Sequence, residues 1–317
     1  MNRLSAIVLF LAVFVASACG QGKEFGVESF DCEYVTTPAD SALATELVAT
    51  LQSELKGRDI TTAELMIHAG QTLLGNEYVA GTLDGADQEK LTLYLLKTDC
   101  ILFVETCFNL ARAAKGPEYP NNLFHSFASN VRQTRYRDGR IARYSDRVHY
   151  TTEWIRQGEK NGIVEDKSKA FGGVVYDHPI FFMSRNKQYY RQLKGAPEDT
   201  VAAKDLAAIE QVEAALNQEP QYYIPDVDIV KAEKFIQSGD IIGYMSATDG
   251  LDIAHVVLAY VTDKDGNVVY GQHGSDARVG FMHASMAAMK VIVDPKTISD
   301  YATSRKSITG IKVVRPL

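Results

Sequence analysis

The chain has 317 residues, with 33 Lys and Arg against 40 Asp and Glu, a formal net charge of −7 at neutral pH. That acidic balance leaves no extended basic surface for nucleic acid, while 46% hydrophobic and 23% charged residues are the make-up of a chain that buries a substantial core. Four cysteines are too few for a disulfide scaffold.

Met1-Asn2-Arg3 is followed by the apolar run Leu4 to Val15 and by Ala16-Ser17-Ala18, directly before Cys19. A basic start, an apolar stretch too short to cross a bilayer and a small-residue end are the pattern of a signal peptide over residues 1–18. Small residues before a cysteine fit a lipoprotein signal, with Cys19 lipidated after cleavage. Read as an ordinary cleavage site, Ala16-Ser17-Ala18 releases a soluble protein instead. The expectation is an exported bacterial protein, periplasmic or held at a membrane only through a lipid on Cys19. Loss of Arg3 with residues 1–18 takes the charge to −8.

Residues 19–39 show little periodicity and read as a tether or docking arm; residues 40–317 read as a single catalytic domain. Leu43, Leu47, Leu51 and Leu55 recur every four residues, Gly57 ends that run, and Thr61-Thr62-Ala63-Glu64 opens a second helix with a capping pattern. Residues 75–82 are a turn-rich bridge, and residues 86–96 a polar helix or loop. In residues 98–110 the apolar side chains Leu102, Phe103, Phe108 and Leu110 follow helical spacing, and Thr98-Asp99 is a helix start. Cys100 therefore lies in the first turn of a largely buried helix. Unpaired N–H groups and the positive end of the dipole there favour a thiolate, and such positions hold cysteine pKa values at roughly 3.5 to 7.5. A small buried hydrophobe is the plainer reading of a lone cysteine before an apolar helix.

Residues 117–195 concentrate arginine and aromatic side chains, with six arginines between Arg132 and Arg147 and the single tryptophan, Trp154. Guanidinium groups and rings suit a polar ligand with carbonyls, carboxylates and sugar faces, so this stretch reads as a recognition insertion; a solvated basic surface is the alternative. Residues 197–217 form an amphipathic helix. Strands follow at 239–245, 253–261, 268–270, 280–285, 290–294 and 311–314, with a hairpin turn at Asp263-Lys264-Asp265-Gly266-Asn267. Helices followed by an antiparallel meander make an α+β protein. His255 and His283 fall on strands that are expected neighbours. A cysteine at a helix start and a histidine on a sheet packed against it are the minimum for thiol acyl transfer. Cys32 and Cys107 read as a disulfide or as two separate buried thiols.

Gly75-x-x-Tyr78-Val79-x-Gly81-Thr82, Asp99-Cys100, Gly239-Asp240-Ile241, His255-Val256 and His283-Ala284 resemble, in order, the signature of the NlpC-type cell-wall peptidases, a branch of the papain-like superfamily. Asp99-Cys100-x-x-Phe103-Val104-Glu105, Arg147-Val148-His149-Tyr150-x-x-x-Trp154-Ile155, Gly250-Leu251-Asp252-x-x-His255-Val256 and His283-Ala284-Ser285 are similar to the N-acetylmuramoyl-L-alanine amidase-like family within that branch. The resemblance covers about residues 60–317. Val257 stands where a glycine is usual, and the extra segment Gly271 to Asp276 brings His273 into competition with His283 for the third position.

The resemblance implies a papain-like fold, with the catalytic helix packed on an antiparallel sheet and extra helical segments. It also implies hydrolysis of the amide between N-acetylmuramic acid, reducing or anhydro, and L-alanine in muropeptides, with no cofactor. Cys100 is then the nucleophile, His255 the acid and base, His283 its orienting partner, and the Cys100 N–H an oxyanion donor. Tyr78 lines the site, Asp99 meets a substrate amine or amide, and Arg147, His149, Tyr150 and Trp154 recognise the muramyl or peptide part. Cleavage between D-glutamate and the diamino acid, by the same residues, is the competing activity. A muropeptide-binding lipoprotein without turnover is the non-enzymatic alternative. No metal-ligand spacing such as H-E-x-x-H occurs.

Overall fold

The computed structural model describes residues 30–85, 88–195 and 199–317. The expected signal peptide, Cys19 and the first part of the expected tether lie outside the described residues. In chain order the elements are β1 (Tyr34–Val35), α1 (Pro38–Glu54), α2 (Thr62–Thr72), β2 (Glu77–Tyr78), β3 (Leu91–Thr92), β4 (Lys97–Thr98), α3 (Cys100–Lys115), α4 (Leu123–Arg135) and α5 (Thr151–Lys160). There follow β5 (Val164–Asp166), β6 (Val174–Tyr176), α6 (Phe182–Arg185), α7 (Thr200–Leu216), β7 (Gln221–Pro225), α8 (Ile229–Ala232) and β8 (Ile241–Ser246). The chain ends with β9 (Ile253–Thr262), β10 (Arg278–Ser285), β11 (Lys290–Val293), α9 (Ile298–Thr303) and β12 (Ile308–Pro316).

Local chemistry sets the helix boundaries. Thr61 and Glu64 form the reciprocal capping box that opens α2, and Gly57, at φ +73°, supplies the left-handed turn before it. The Asp40 carboxylate, buried at the start of α1, accepts the backbone N–H groups of Leu95 and Leu96 at 2.8 and 2.9 Å. That tie, and the parallel pairing of β3 with β1, hold the described part of 86–96 as loop and short strand rather than helix. Residues 30–37 dock on the body: Phe30 stacks on His125 at 5.0 Å, and Asp31 meets Arg132 at 2.7 Å.

Ten strands form one sheet in the order β4-β2-β11-β10-β9-β8-β12-β7-β6, with β5 beside β12. The antiparallel meander holds for β8 to β11. It then breaks, because β12 returns beside β8 instead of following β11, whose outer edge is taken by β2. Val268 to Tyr270 form no strand, only a single bridge from Val268 to Thr262. Successive side chains of a strand point to opposite faces, so each face has its own core. On one face Phe103, Val104, Cys107 and Phe108 of α3 meet Val256, Leu258, Met282 and Ala284; on the other Tyr244, Val257, Phe281 and Val313 meet Ile298, Tyr301 and Ala302. Val257, at the position where the family pattern has glycine, is fully buried in this second core.

Three further family-pattern residues prove to be structural anchors. Gly239 takes φ +92°, and a Cβ there would fall 2.5 Å from the Ala63 carbonyl oxygen. Asp240, completely buried, forms a two-point pair with Arg315 of β12 at 2.7 and 2.8 Å. Asp252, ahead of β9, accepts the Thr152 N–H at 2.8 Å and so fixes the start of α5 to the strand that carries His255.

Candidate active site

Three elements converge on Cys100. β4 pairs in parallel with β2, Tyr78 opposite Thr98, and delivers the chain to the first residue of α3. Asp99 is the N-cap: its Oδ1 accepts the N–H groups of Ile101 and Leu102 at 3.1 and 2.9 Å, and its carbonyl accepts that of Phe103. Asp99 thus has a capping role through Oδ1 and also borders the cavity beside Cys100. Beyond the pair Leu258–Met282 no further register links β9 to β10, and in that opening the Cys100 sulphur takes the Val256 N–H.

The depressed thiol pKa expected from the helix start is not found. Burial pushes the Cys100 thiol up to about 11, with the Asp99 carboxylate adding to the rise. The N–H groups of Val256, Ile101 and Cys100 itself oppose that shift without reversing it. At neutral pH the Cys100 side chain is thus held as the thiol. Tyr78, partly buried beside it, has its hydroxyl pKa raised by burial and then by Cys100 and Asp99.

His255 stands opposite Tyr244 on the neighbouring strand, the two rings stacked at 6.2 Å with 9° between planes. Tyr301 of α9 stacks on it at 5.8 Å. Its Nε2 lies 2.7 Å from Nδ1 of His283. His283, 2% exposed, turns Nε2 toward Asp294 Oδ2 at 3.1 Å, a charge contact without the alignment of a full hydrogen bond. Asp294 is held in turn by the Lys296 N–H on its Oδ1 at 2.8 Å. The carboxylate demands a proton on His283 Nε2, which leaves His283 Nδ1 an acceptor. His255 therefore carries its proton on Nε2 and its lone pair on Nδ1, the tautomer that can take a proton from a thiol. Burial, then His283 and Arg305, pull the His255 pKa down to about 3. Burial lowers that of His283 too, against Asp294, which raises it. His273 is elsewhere: its ring contacts the carbonyls of Ile236 and Gly274.

Asp99, Ile101 and Val256, all next to Cys100, also border a cavity of about 330 Å³ whose far wall is Arg147, His149, Tyr150 and Trp154. The volume is at the low end for small-molecule sites. The arginine–aromatic stretch is thus brought close to Cys100, but its polar groups are already engaged. Arg147 meets Asp84 at 2.7 Å and Glu89 at 3.5 Å, while the Tyr150 hydroxyl donates to Glu213 at 2.7 Å and accepts from the Met183 N–H. His149 donates from Nε2 to the Tyr144 carbonyl at 2.9 Å, and burial holds its pKa well below the usual value, so it is neutral. Trp154 packs edge-on against Phe108 at 5.5 Å. Arg135 and Glu105, a buried ion pair, complete the lining. A larger cleft of about 720 Å³ on the other side of Tyr144, lined by Asp31, Arg132, Arg143 and Asp205, contains none of the groups around Cys100.

Asp294, Tyr301 and Arg305 are the site residues that sequence reasoning passed over. A carboxylate at the end of the strand beside His283 was visible, but its approach depends on the β10–β11 register, His283 opposite Ile292. Among the described residues no three His, Cys, Asp or Glu side chains gather as a metal site would, and Cys32, Cys100 and Cys107 are all free thiols.

An α+β chain whose helix-start thiol takes the N–H of Val256, the residue after the first histidine of a histidine–histidine–carboxylate row, is of the class of amidase-like hydrolases. The chain belongs to the AmiA-like family, N-acetylmuramoyl-L-alanine amidase-like, whose model matches residues 68–311. Membership gives it a peptidoglycan-related substrate class. Two crystal structures of an N-acetylmuramoyl-L-alanine amidase from Bacteroides uniformis are similar at 30% and 27% identity. They cover 81% and 80% of this chain and 99% and 98% of their own, with TM-scores of 0.68 and 0.66. A Bacteroides fragilis structure described provisionally as a xylanase is 30% identical, covers 78% of this chain and 99% of its own, and has a TM-score of 0.64. No curated protein matches the chain.

Proposed function

We propose that the protein hydrolyses the amide between the lactyl group of N-acetylmuramic acid and L-alanine in muropeptides, by a thiol mechanism of the papain-like NlpC type. The observation that carries the reading is the Cys100 thiol held on the Val256 N–H, one residue along β9 from His255, whose tautomer is set by His283 and Asp294. His255 Nδ1 takes the thiol proton as sulphur attacks the lactyl carbonyl carbon, so the charged pair forms only in the transition state. The carbonyl oxygen, now an oxyanion, is met by the Cys100 N–H, since Asp99 occupies those of Ile101 and Leu102. The imidazolium then gives its proton to the alanine nitrogen as the C–N bond breaks, releasing the peptide and leaving a thioester. Water, deprotonated by His255, cleaves the thioester to the muramyl carboxylate and restores the thiol.

The cavity behind Asp99 and Val256 suits the acyl side of this substrate. Its guanidinium groups are neutralised by Asp84, Glu89 and Glu105, so it offers rings and neutral polar walls, which fit an uncharged sugar better than an anionic peptide. The N-terminal sequence supports an exported protein that meets its substrate outside the cytoplasm.

The test is mass spectrometry of defined reducing and anhydro muropeptides after incubation with the mature protein and with Cys100→Ala. Free peptide beginning with L-alanine, absent with the variant, is the expected result. Disaccharide-L-Ala-D-Glu would replace the amidase by the endopeptidase. No cleavage of any substrate would leave a muropeptide-binding protein.

A further inference from the structure

We infer that Arg305 recognises the stem peptide of the substrate, pairing with a carboxylate on the residue after the scissile L-alanine; the inference rests on the amidase reading. Three arginines lie around the site. Arg135 and Arg147 each face a carboxylate of the protein, whereas Arg305 has no acidic partner among the described residues. Its Nη1 donates to the Tyr301 carbonyl at 3.4 Å and to Ser304 Oγ at 3.2 Å, and the group is only partly buried. The remaining donors are open to a ligand.

Its position is fixed by Tyr301. The guanidinium carbon sits 3.5 Å from the centre of that ring, while the ring itself stacks on His255 at 5.8 Å and meets His283 edge-on at 5.9 Å. Tyr301 is also close enough to Cys100 for a charge on the sulphur to act on its hydroxyl. Arg305 therefore stands one aromatic ring from the reacting groups, among residues of the second core, while the neutralised cavity is lined from the α3 side. The acyl part of the substrate fits the cavity, and the anionic part fits Arg305. In a stem peptide of L-alanine followed by γ-linked D-glutamate, the first free carboxylate is the α-carboxylate of that second residue. One residue spans at most about 3.6 Å, so this group lies within about 7 Å of the scissile nitrogen. A planar guanidinium held flat on a ring is pre-oriented for two-point pairing with it.

Seating a carboxylate there also serves the chemistry. Arg305 opposes protonation of both His255 and His283, and a counter-charge from the substrate relieves that opposition when the imidazolium must form.

The experiment compares two muropeptides that differ only in this group, D-glutamate with a free α-carboxylate and its α-amide, on the wild type, Arg305→Gln and Arg305→Lys. The expected wild-type preference for the carboxylate in kcat/KM is about tenfold or more, equivalent to about 1.4 kcal/mol. It should fall to near one in Arg305→Gln and be partly restored in Arg305→Lys. An unchanged ratio in Arg305→Gln, or no wild-type preference, overturns the inference. If the wild type cleaves neither compound at L-alanine, the amidase reading fails, and calorimetry of the same compounds with Cys100→Ser and Cys100→Ser/Arg305→Gln decides the inference alone. A carboxylate preference lost with Arg305 sustains it; equal binding of both compounds removes it.

Discussion

Nε2 of His255 lies 2.7 Å from Nδ1 of His283, so the proton that orients the first imidazole is controlled by the second. Behind His283 stands Asp294, and the row His255, His283, Asp294 has one consistent placement of protons. On the proposed mechanism the carboxylate acts only through the rings, as a positioning residue.

Asp294→Asn is accordingly expected to lower kcat by roughly 10²- to 10⁴-fold, with KM little changed, because the wrong tautomer of His283 then faces His255. Steady-state kinetics at several pH values read this, alongside thermal melting. A variant that melts several degrees lower yet keeps full kcat would assign Asp294 to folding alone.

The thiol of Cys100, pushed up to about 11, is expected to react slowly with iodoacetamide at pH 7 in the unliganded protein. Its labelling rate should rise about tenfold per pH unit above 7, since only the thiolate reacts. Cys107, completely buried, should stay unlabelled throughout. Fast labelling of Cys100 that is flat between pH 6 and 8 would reveal a resting thiolate and contradict the neutral pair.

Acid should weaken the fold through the same imidazoles. In the unfolded chain a histidine takes up its proton near pH 6.5, whereas folded His255 resists it down to about 3. The unfolded state thus binds more protons across that window, and the stability this group contributes above pH 6.5 is lost as pH falls toward 3. The loss is at most about 1.4 kcal/mol per pH unit for each such group. Melting temperatures at pH 7 and pH 5 should differ less in His255→Asn than in the wild type; identical differences would show that His255 is not held neutral. The acid limb of kcat/KM should also lie well below pH 6.5.

Glu105 and Arg135, each 7% exposed, form the buried ion pair under the cavity, with Arg135 Nη1 also donating to the Thr92 carbonyl at 2.6 Å. Arg135→Met leaves Glu105 a buried charge without its partner and is expected to cost about 3–5 kcal/mol in urea unfolding. The double variant Glu105→Met/Arg135→Met should regain most of that. A single variant as stable as the wild type would mean that water reaches the pair.

Much of the framework could be read locally. The leucine repeat of α1, the capping box of α2, the apolar spacing of α3 and the hairpin turn at residues 263–267 are short-range signals, written within one or two turns of chain. Residues 91–96 escaped that reading because their partners, Asp40 and β1, are remote, whereas residues 268–270 meet β9 through only the Val268–Thr262 bridge and the Val269 N–H on the Val261 carbonyl.

The sequence by itself determined which chemistry-bearing residues this protein has and the elements that carry them. Cys100 opens a helix and His255 and His283 sit on strands, because capping and periodicity act over a few residues. The tertiary structure alone decided their state and company. The protonated Cys100 thiol reflects burial and the nearby Asp99 charge outweighing the helix start. The choice of His283 over His273, the arrival of Asp294 and the opposite fates of Arg147, paired, and Arg305, open, all follow from strand register and from which charges share a buried space. Those are long-range properties, set by dielectric and distance between parts of the chain as far apart as Cys100 and Val256, and no local pattern encodes them.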